Sequence, residues 1–158
     1  GFYVLVGLAR MEGINLSSGA VVGGSDVSQD AEAGAVHAEY KVNWIWNDES
    51  TAFDNARSQN KLVMIDFWAD WCAACRELDH KSFSTPEVYE TVNRDFIPLK
   101  IDGSKITDEV KATWERYGVK GLPTVLFMTP DGEELTRFEA FRSAEQVMEV
   151  LGKLTKTK

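Results

Sequence analysis

The sequence predicts one α/β domain, with a central mixed sheet flanked by helices and a flexible N-terminal extension. Three observations support this prediction. Residues 62–65 form a short apolar run of the kind that is buried inside a parallel sheet. Strand-like runs alternate with segments of helical periodicity from residue 41 onwards. The length of 158 residues suits one domain plus extensions, and 44% hydrophobic residues are ordinary for a globular core.

The helices are predicted from apolar periodicity and from residues that begin or end helices. Asn47 or Ser50 is suited to cap the first helix, and Pro86 is suited to the first turn of the third. Thr107 is suited to cap the fourth helix, which Gly118 would end. The predicted helices cover residues 51–58, a segment from 73 onwards, 86–92, 108–117 and 144–151.

The strands are predicted from apolar runs and from turn residues between them. Pro98 cannot donate a backbone hydrogen bond, so we expect an irregular or unpaired position in its strand. Residues 129–132 predict a turn, after which the last strand returns antiparallel. The predicted strands cover residues 41–46, 62–67, 96–101, 123–128 and 135–140.

A pair of cysteines lies where the second strand runs into a helix. Cys72 is predicted at or near the first turn of that helix, where backbone N–H groups without intrahelical partners stabilise a thiolate. Cys75 follows one turn later on the same face, close enough to resolve a mixed disulfide. Both residues between the cysteines are alanine, so neither side chain adds to the stabilisation of a thiolate. The pattern predicts a dithiol site that donates electrons rather than a strong oxidant.

Other uses of a C-x-x-C motif fit this sequence less well. Zinc usually needs four ligands, whereas the chain holds only two cysteines and two histidines, His37 and His80. Covalent haem attachment needs a histidine directly after the second cysteine, where this chain has Arg76. A structural disulfide stays open as an alternative, although so short a loop constrains the unfolded chain little.

Residues 66–76, DFWADWCAACR, resemble the active-site segment of the thioredoxin superfamily. The continuation of this segment to residue 88 resembles more specifically the C-terminal domain of thiol:disulfide interchange proteins of the DsbD family. Residues 121–124, Gly-Leu-Pro-Thr, match the loop in which the superfamily carries a cis-proline. The resemblance covers residues 40–154 and implies a thioredoxin fold with one strand and one helix added at its N-terminus.

The resemblance also implies catalytic roles for two carboxylates near the cysteines. Asp66 occupies the position of a buried acid that accepts the proton of the second cysteine. Burial raises the pKa of such a carboxyl towards neutrality, which suits a general base. Asp79 occupies a position where the family usually carries glutamate, and its shorter side chain puts its reach towards the cysteines in doubt. Asp70 and Glu77 are expected to be solvated surface charges.

For the exchange reaction itself, the resemblance implies that Cys72 attacks and Cys75 resolves. Trp71 and the loop around Pro123 would form the face on which a partner docks. The backbone of Leu122 would pair with an extended segment of that partner. We expect a cis peptide bond between Leu122 and Pro123 that packs against the C-x-x-C. We also expect Cys72 to be partly exposed and Cys75 to be buried.

The expected function is that of a protein-disulfide reductase in the periplasmic domain of a bacterial inner-membrane protein. This monomeric domain would relay electrons from a membrane-embedded thiol pair to periplasmic redox proteins, with no cofactor and no metal. Two alternatives stay open: a membrane-tethered thioredoxin-like reductase for cytochrome c maturation, and a non-catalytic interaction module with a structural C-x-x-C. The net charge of −8 argues against a nucleic-acid partner.

Two segments precede the predicted domain, which we place at residues 40–158. Residues 1–10 carry no charge before Arg10 and are too short to span a bilayer, so we interpret them as the end of a transmembrane helix. Residues 11–39 are rich in Gly, Ser, Ala and acids and predict a flexible linker. The alternatives are an apolar segment docked on the domain and a disordered tail.

Overall fold

A computed structural model describes residues 40–156 of the chain. The predictions for residues 1–39, the apolar segment and the linker, lie outside the described residues. Within 40–156, helices pack on both faces of a five-stranded sheet. The elements in chain order are β1 (Ile45–Trp46), α1 (Glu49–Gln59), β2 (Leu62–Trp68), α2 (Ala73–Leu78), a π-helix (Asp79–Phe83), α3 (Pro86–Asp95), β3 (Phe96–Asp102), α4 (Asp108–Tyr117), β4 (Thr124–Met128), β5 (Glu134–Phe138) and α5 (Ala144–Thr155).

The sheet is mixed, as predicted, with the strands in the order β1–β3–β2–β4–β5. Strands β1, β3 and β2 are parallel to one another, whereas β4 is antiparallel to both β2 and β5. The register places Asp66 of the central strand β2 beside Lys100 of β3 on one side and Val125 of β4 on the other. Two charged residues therefore lie next to each other in the middle of the sheet.

Each face of the sheet covers its own apolar cluster. On one face, Ile65 packs in a cluster that includes Ala56 of α1. On the other face, Met64 packs in a cluster that includes Leu151 of α5. Because successive strand residues point to opposite faces, Asp66 shares the face of Met64, which is the face that α3 and α5 cover.

Strand β1 is shorter than predicted. Only residues 45 and 46 pair with β3, although the alternating pattern predicted a strand over residues 41–46. The Trp44 N–H donates to the Val42 carbonyl at 2.9 Å, which turns the chain before the strand begins. Val42 is buried, and the ring of Trp44 lies 5.4 Å from that of Phe83. Packing against the core, rather than strand pairing, accounts for the apolar residues of this segment.

The cap of α1 also differs from the prediction. Asp48, not Asn47 or Ser50, is the N-cap, and its carboxylate accepts a hydrogen bond from the Thr51 N–H at 3.0 Å. Asn47 adopts a positive φ of 55°. Its side-chain oxygen accepts a hydrogen bond from the Asp102 N–H at 2.8 Å, so it fastens the end of β3 instead of the helix.

The predicted start of α3 and both predicted ends of α4 are confirmed. Pro86 begins α3, Thr107 caps α4 through the Val110 N–H, and Gly118 ends α4 with a φ of 64°. Pro98 keeps a regular register opposite Met64 in β2. On the side of β3 that faces β1, only residues 99 and 100 are paired, so Pro98 has no strand partner there. Of the two expected outcomes, the structure shows the unpaired position.

Gly103 provides a test of the packing at the end of β3. A Cβ atom added there would lie 2.6 Å from Trp114 Cζ2, and the Trp114 ring packs against buried residues. We predict that Gly103→Ala lowers the free energy of unfolding by about 1–3 kcal/mol, the range of overpacked sites. Gly152→Ala is the matched control: it has open space in α5 and should raise this free energy by up to ~1 kcal/mol. Urea unfolding measures both, and a Gly103→Ala domain as stable as wild type would contradict the predicted clash.

Candidate active site

The two cysteines lie at the start of α2, as predicted. Cys72 is the N-cap residue and is joined to Cys75 by a disulfide, with their Cα atoms 5.3 Å apart. The Cys75 N–H, which has no partner within the helix, points at Cys72 Sγ at 3.2 Å. An N–H group in this position also stabilises a thiolate on Cys72 once the disulfide is reduced.

Cys72 is more covered than expected. Its exposed fraction is 7% and that of Cys75 is 1%, so the predicted order is correct but Cys72 is buried rather than partly exposed. Both cysteines pack with Ala69, and the side chains of Trp68 and Leu122 contact this small cluster. The contact with Leu122 agrees with the expected packing of the Pro123 loop against the cysteines.

The loop before β4 lies beside the disulfide. The peptide bond between Leu122 and Pro123 is cis, which confirms the prediction. The Thr124 hydroxyl donates to the Gly121 carbonyl at 2.7 Å and closes the loop. Thr124 pairs with Phe67 of β2, which leads towards the cysteines. The structure thus brings Leu122 to the cysteines, while the docking role of this loop stays a prediction.

Trp71 is held at one edge and open over most of its surface. Its side chain is 57% exposed, and its indole N–H donates to the Ser104 carbonyl at 3.2 Å. The Ser104 hydroxyl accepts a hydrogen bond from the Asp70 N–H and donates to the Asp102 carboxylate. Sequence analysis did not predict this support, because the loop after β3 carries no motif that links it to the cysteines.

Asp66 is buried beneath the sheet surface, as predicted. Its exposed fraction is 1%, and neither carboxylate oxygen accepts a well-aligned hydrogen bond from any residue in the described range. Lys100 Nζ lies 3.0 Å from Asp66 Oδ2 as an ion pair. Loss of solvation raises the pKa of Asp66 to about 6, Lys100 opposes the rise, and Asp79 adds to it. The predicted shift towards neutrality is confirmed, whereas transfer of the Cys75 proton to Asp66 stays a prediction.

Asp79 contacts Lys100. Its Oδ1 accepts a hydrogen bond from Lys100 Nζ at 2.6 Å, and its side chain is 27% exposed. Asp79 is the first residue of the π-helix, a rare form that occurs mostly as a single turn and often at functional sites. The segment Asp79–Phe83 contains no glycine or proline, so no sequence signal distinguished it from a continuation of α2. A catalytic role of Asp79 stays a prediction.

Lys100 is the part of the site that sequence analysis missed. Its ammonium lies 4.4 Å from the ring centre of Trp44, 5.7 Å from that of Trp46 and 5.6 Å from that of Trp68. Cation–π contacts of this kind are stronger where water is excluded, and Lys100 is buried. A lysine within the otherwise apolar run of residues 96–101 was the available signal, but the sequence does not show that three tryptophans surround it.

A dithiol that can close into a disulfide at a helix start can exchange two electrons with another disulfide. The class of protein that this fold and site define is the thiol-disulfide oxidoreductases. Within residues 40–156, no group of His, Cys, Asp or Glu side chains is arranged to hold a metal ion. No helix in the same range is long and apolar enough to cross a membrane.

The chain belongs to the thioredoxin-like domain family, whose sequence model matches residues 50–155. It is 38% identical over 98 residues to the thiol:disulfide interchange protein DsbD of Haemophilus ducreyi, a match that covers 61% of this chain and 17% of that protein. The chain spans about a fifth of the length of the curated relatives that it matches.

Solved structures show the same similarity. The oxidised C-terminal domain of DsbD from Neisseria meningitidis is 31% identical to this chain, with a TM-score of 0.59. That match covers 65% of this chain and 90% of the Neisseria domain. A thioredoxin from Thermus thermophilus is 24% identical, with a TM-score of 0.64 and coverage of 73% of this chain and 88% of that one, and it supports the fold alone.

The burial of Asp66 predicts a pH-dependent cost to stability. Its pKa is about 6 in the folded domain against an ordinary value of 3.8, so the folded state binds more protons between these pH values. Stability contributed by the neutral carboxyl is therefore present below pH 4 and is lost as the pH rises through 6. The rise in the pKa of Asp66 corresponds to a loss of at most ~3 kcal/mol in the free energy of unfolding.

We predict that Asp66→Asn, with the disulfide intact, raises the free energy of unfolding at pH 7 by ~1–3 kcal/mol. The difference from wild type should shrink towards zero near pH 4, because asparagine resembles the neutral carboxyl. Urea unfolding at both pH values measures this. Asp70→Asn, which removes an exposed carboxylate from the same segment, is the control and should change little. An Asp66→Asn domain less stable than wild type at pH 7 would contradict the prediction.

Proposed function

We propose that this chain contains a DsbD-type redox domain that relays electrons from a membrane-embedded dithiol to disulfides of periplasmic proteins. The observation that carries the proposal is the Cys72–Cys75 disulfide at the start of α2. It lies in a chain that is 31% identical to a DsbD C-terminal domain and covers 90% of it. The curated relatives bear the name thiol:disulfide interchange protein, which describes this chemistry.

In the reducing direction, the reaction begins with attack of the Cys72 thiolate on a partner disulfide. One partner sulfur leaves as a thiolate, and a mixed disulfide forms between Cys72 and the other. Cys75 gives its proton to the Asp66 carboxylate and attacks Cys72 Sγ. The second partner sulfur then leaves as a thiolate. The partner gains two electrons, and the domain returns to its Cys72–Cys75 disulfide.

The docking face would consist of Trp71, Leu122 and Pro123. Trp71 offers a large exposed ring whose edge is fixed to Ser104. Leu122 contacts the cysteine cluster, so a partner segment that pairs with its backbone would pass beside the disulfide. This geometry favours an extended segment with a disulfide as the substrate.

The arrangement of the whole chain is part of the same proposal. Residues 40–158 would form the periplasmic redox domain, and residues 11–39 would link it to an apolar segment at residues 1–10 that belongs to a bacterial inner-membrane protein. A linker of this length would let the domain visit a membrane-embedded donor and a periplasmic acceptor in turn.

The roles of the two cysteines can be separated by matched substitutions. We predict that wild type accelerates the reduction of insulin by dithiothreitol and that Cys72→Ser returns the rate to that of dithiothreitol alone. Cys75→Ser should instead accumulate a mixed disulfide with insulin, because Cys72 still attacks but nothing resolves the product. Turbidity follows the rate, and non-reducing electrophoresis detects the mixed disulfide. Insulin reduction no faster than with dithiothreitol alone would favour the non-catalytic module, and trapping by Cys72→Ser would reverse the assigned roles.

A further inference from the structure

The turn that leads from β2 to Cys72 carries the exposed part of the docking face. Residues 69–72 form this turn, and the Cys72 N–H closes it by donating to the Ala69 carbonyl at 3.1 Å. Its two central residues, Asp70 and Trp71, are both exposed. Because burial does not hold an exposed turn in place, hydrogen bonds have to fix the direction in which the Trp71 ring faces.

Both central residues of the turn are hydrogen-bonded to one residue, Ser104 in the loop after β3. The Asp70 N–H donates to Ser104 Oγ at 2.8 Å, and the Trp71 indole N–H donates to the Ser104 carbonyl at 3.2 Å. The first bond fixes the backbone of the turn, and the second fixes the edge of the ring. Ser104 therefore sets both the position of the turn and the orientation of the ring.

Ser104 is itself tied to the end of the sheet. Asp102, the last residue of β3, accepts hydrogen bonds at Oδ1 from the Ser104 N–H at 2.8 Å and from the Ser104 hydroxyl at 2.5 Å. The Asp102 N–H in turn donates to the side chain of Asn47. Because the hydroxyl proton of Ser104 points at a carboxylate, the lone pairs of Oγ are left to accept from Asp70. The turn is thus fastened to a strand rather than to a mobile loop.

A second contact holds the turn from the side of α2. The Arg76 guanidinium donates to the Asp70 carbonyl, so both peptide groups of Asp70 have side-chain partners. Arg76 is exposed, and a long exposed side chain loses much rotamer freedom when it makes a contact. Ser104 is half-buried and has a short side chain, so it holds the turn at a smaller cost in entropy.

We propose that Ser104 is a positioning residue of the disulfide exchange reaction, because it holds the Asp70–Trp71 turn so that the Trp71 ring meets a protein partner in a preformed position. This inference rests on the proposed function. A docking group that is already in place loses less conformational entropy when a partner binds, so Ser104 lowers the KM for a protein disulfide. It leaves the chemical step unchanged, because the group that stabilises a Cys72 thiolate is the Cys75 N–H of α2.

Kinetics with a large and a small disulfide test this role. Ser104→Ala removes both the acceptor for the Asp70 N–H and the donor to Asp102. In the reduction of insulin by dithiothreitol, we expect the KM for insulin to rise about fivefold, the factor that one ordinary hydrogen bond represents, and kcat to stay within about twofold. The reduced domain should react with dithiobis(nitrobenzoate), a small disulfide that needs no docking face, at the wild-type rate.

Rescue by a second hydroxyl separates positioning from a loss of side-chain packing. Ser104→Thr keeps the hydroxyl, and Ser104 borders a cavity of about 700 Å³ in which the extra methyl group has room. We expect this variant to have the wild-type KM. Hydrogen exchange of the Asp70 N–H, followed by NMR, measures the hold directly. Exchange should be faster in Ser104→Ala than in wild type, and Ser104→Thr should restore the wild-type rate.

Two further variants complete the set. Ser58→Ala removes a hydroxyl that donates to a backbone carbonyl in α1, which precedes β2 and so lies at the opposite end of that strand from the cysteines. It is the control and should change neither KM nor kcat. Asp102→Ala releases the Ser104 hydroxyl from the sheet and should raise the KM as Ser104→Ala does. It provides the test if Ser104→Ala fails to fold.

An unchanged KM for insulin in Ser104→Ala would overturn the inference, and so would a rise that Ser104→Thr does not reverse. Equal losses of rate with insulin and with the small disulfide would also overturn it, because Ser104 would then support the cysteines rather than the docking face. The wild-type reaction separates this inference from the proposed function. If wild type reduces insulin and Ser104→Ala matches it, only the positioning role is refuted. A wild-type chain that does not reduce insulin refutes the reductase and this role with it.

Discussion

The parallel register between β2 and β3 is the constraint on which the site depends, because it places Asp66 beside Lys100 in the middle of the sheet. A buried carboxylate without a cation would be costly in so apolar an interior, and a buried lysine without a carboxylate would be equally so. Lys100 reduces the cost of burying Asp66 without cancelling it, and Asp79 supplies a second carboxylate for the Lys100 ammonium. Strand β2 then continues from Asp66 towards Cys72, so the register that pairs the charges also sets where α2 and its cysteines begin.

Lys100 compensates the burial of Asp66 only in part. This partial compensation favours proton transfer at Asp66 at the expense of stability. Lys100 lies 3.0 Å from one oxygen of Asp66, but the loss of solvation outweighs this attraction and raises the pKa of Asp66 to about 6. A carboxyl with that pKa exchanges protons readily near neutral pH, as a general base requires. The second contact of Lys100, with Asp79, directs part of its charge away from Asp66 and joins the buried acid to the surface.

The features that depend on short stretches of sequence were predictable. The strand before Cys72, the helix after it, and the caps at Thr107 and Gly118 follow from local propensity, whereas the cis bond at Pro123 was expected from family resemblance alone. The bridge formed by Lys100 depends on strand register, and its aromatic surroundings bring together residues more than 30 positions apart, which no local pattern encodes. The shortened β1 and the burial of Cys72 were missed for the same reason, since tertiary packing decides both.

The midpoint of the Asp66 titration tests the central claim most directly, because the account depends on a buried carboxyl that is only partly compensated by Lys100. Carbon-13 NMR of the carboxyl groups, with the Asp66 signal assigned from its absence in Asp66→Asn, gives this midpoint. We expect a value of about 6. A midpoint at or below the ordinary aspartate value of about 3.9 would contradict the account. It would mean that Lys100 fully compensates the burial and that Asp66 cannot take up a proton near neutral pH.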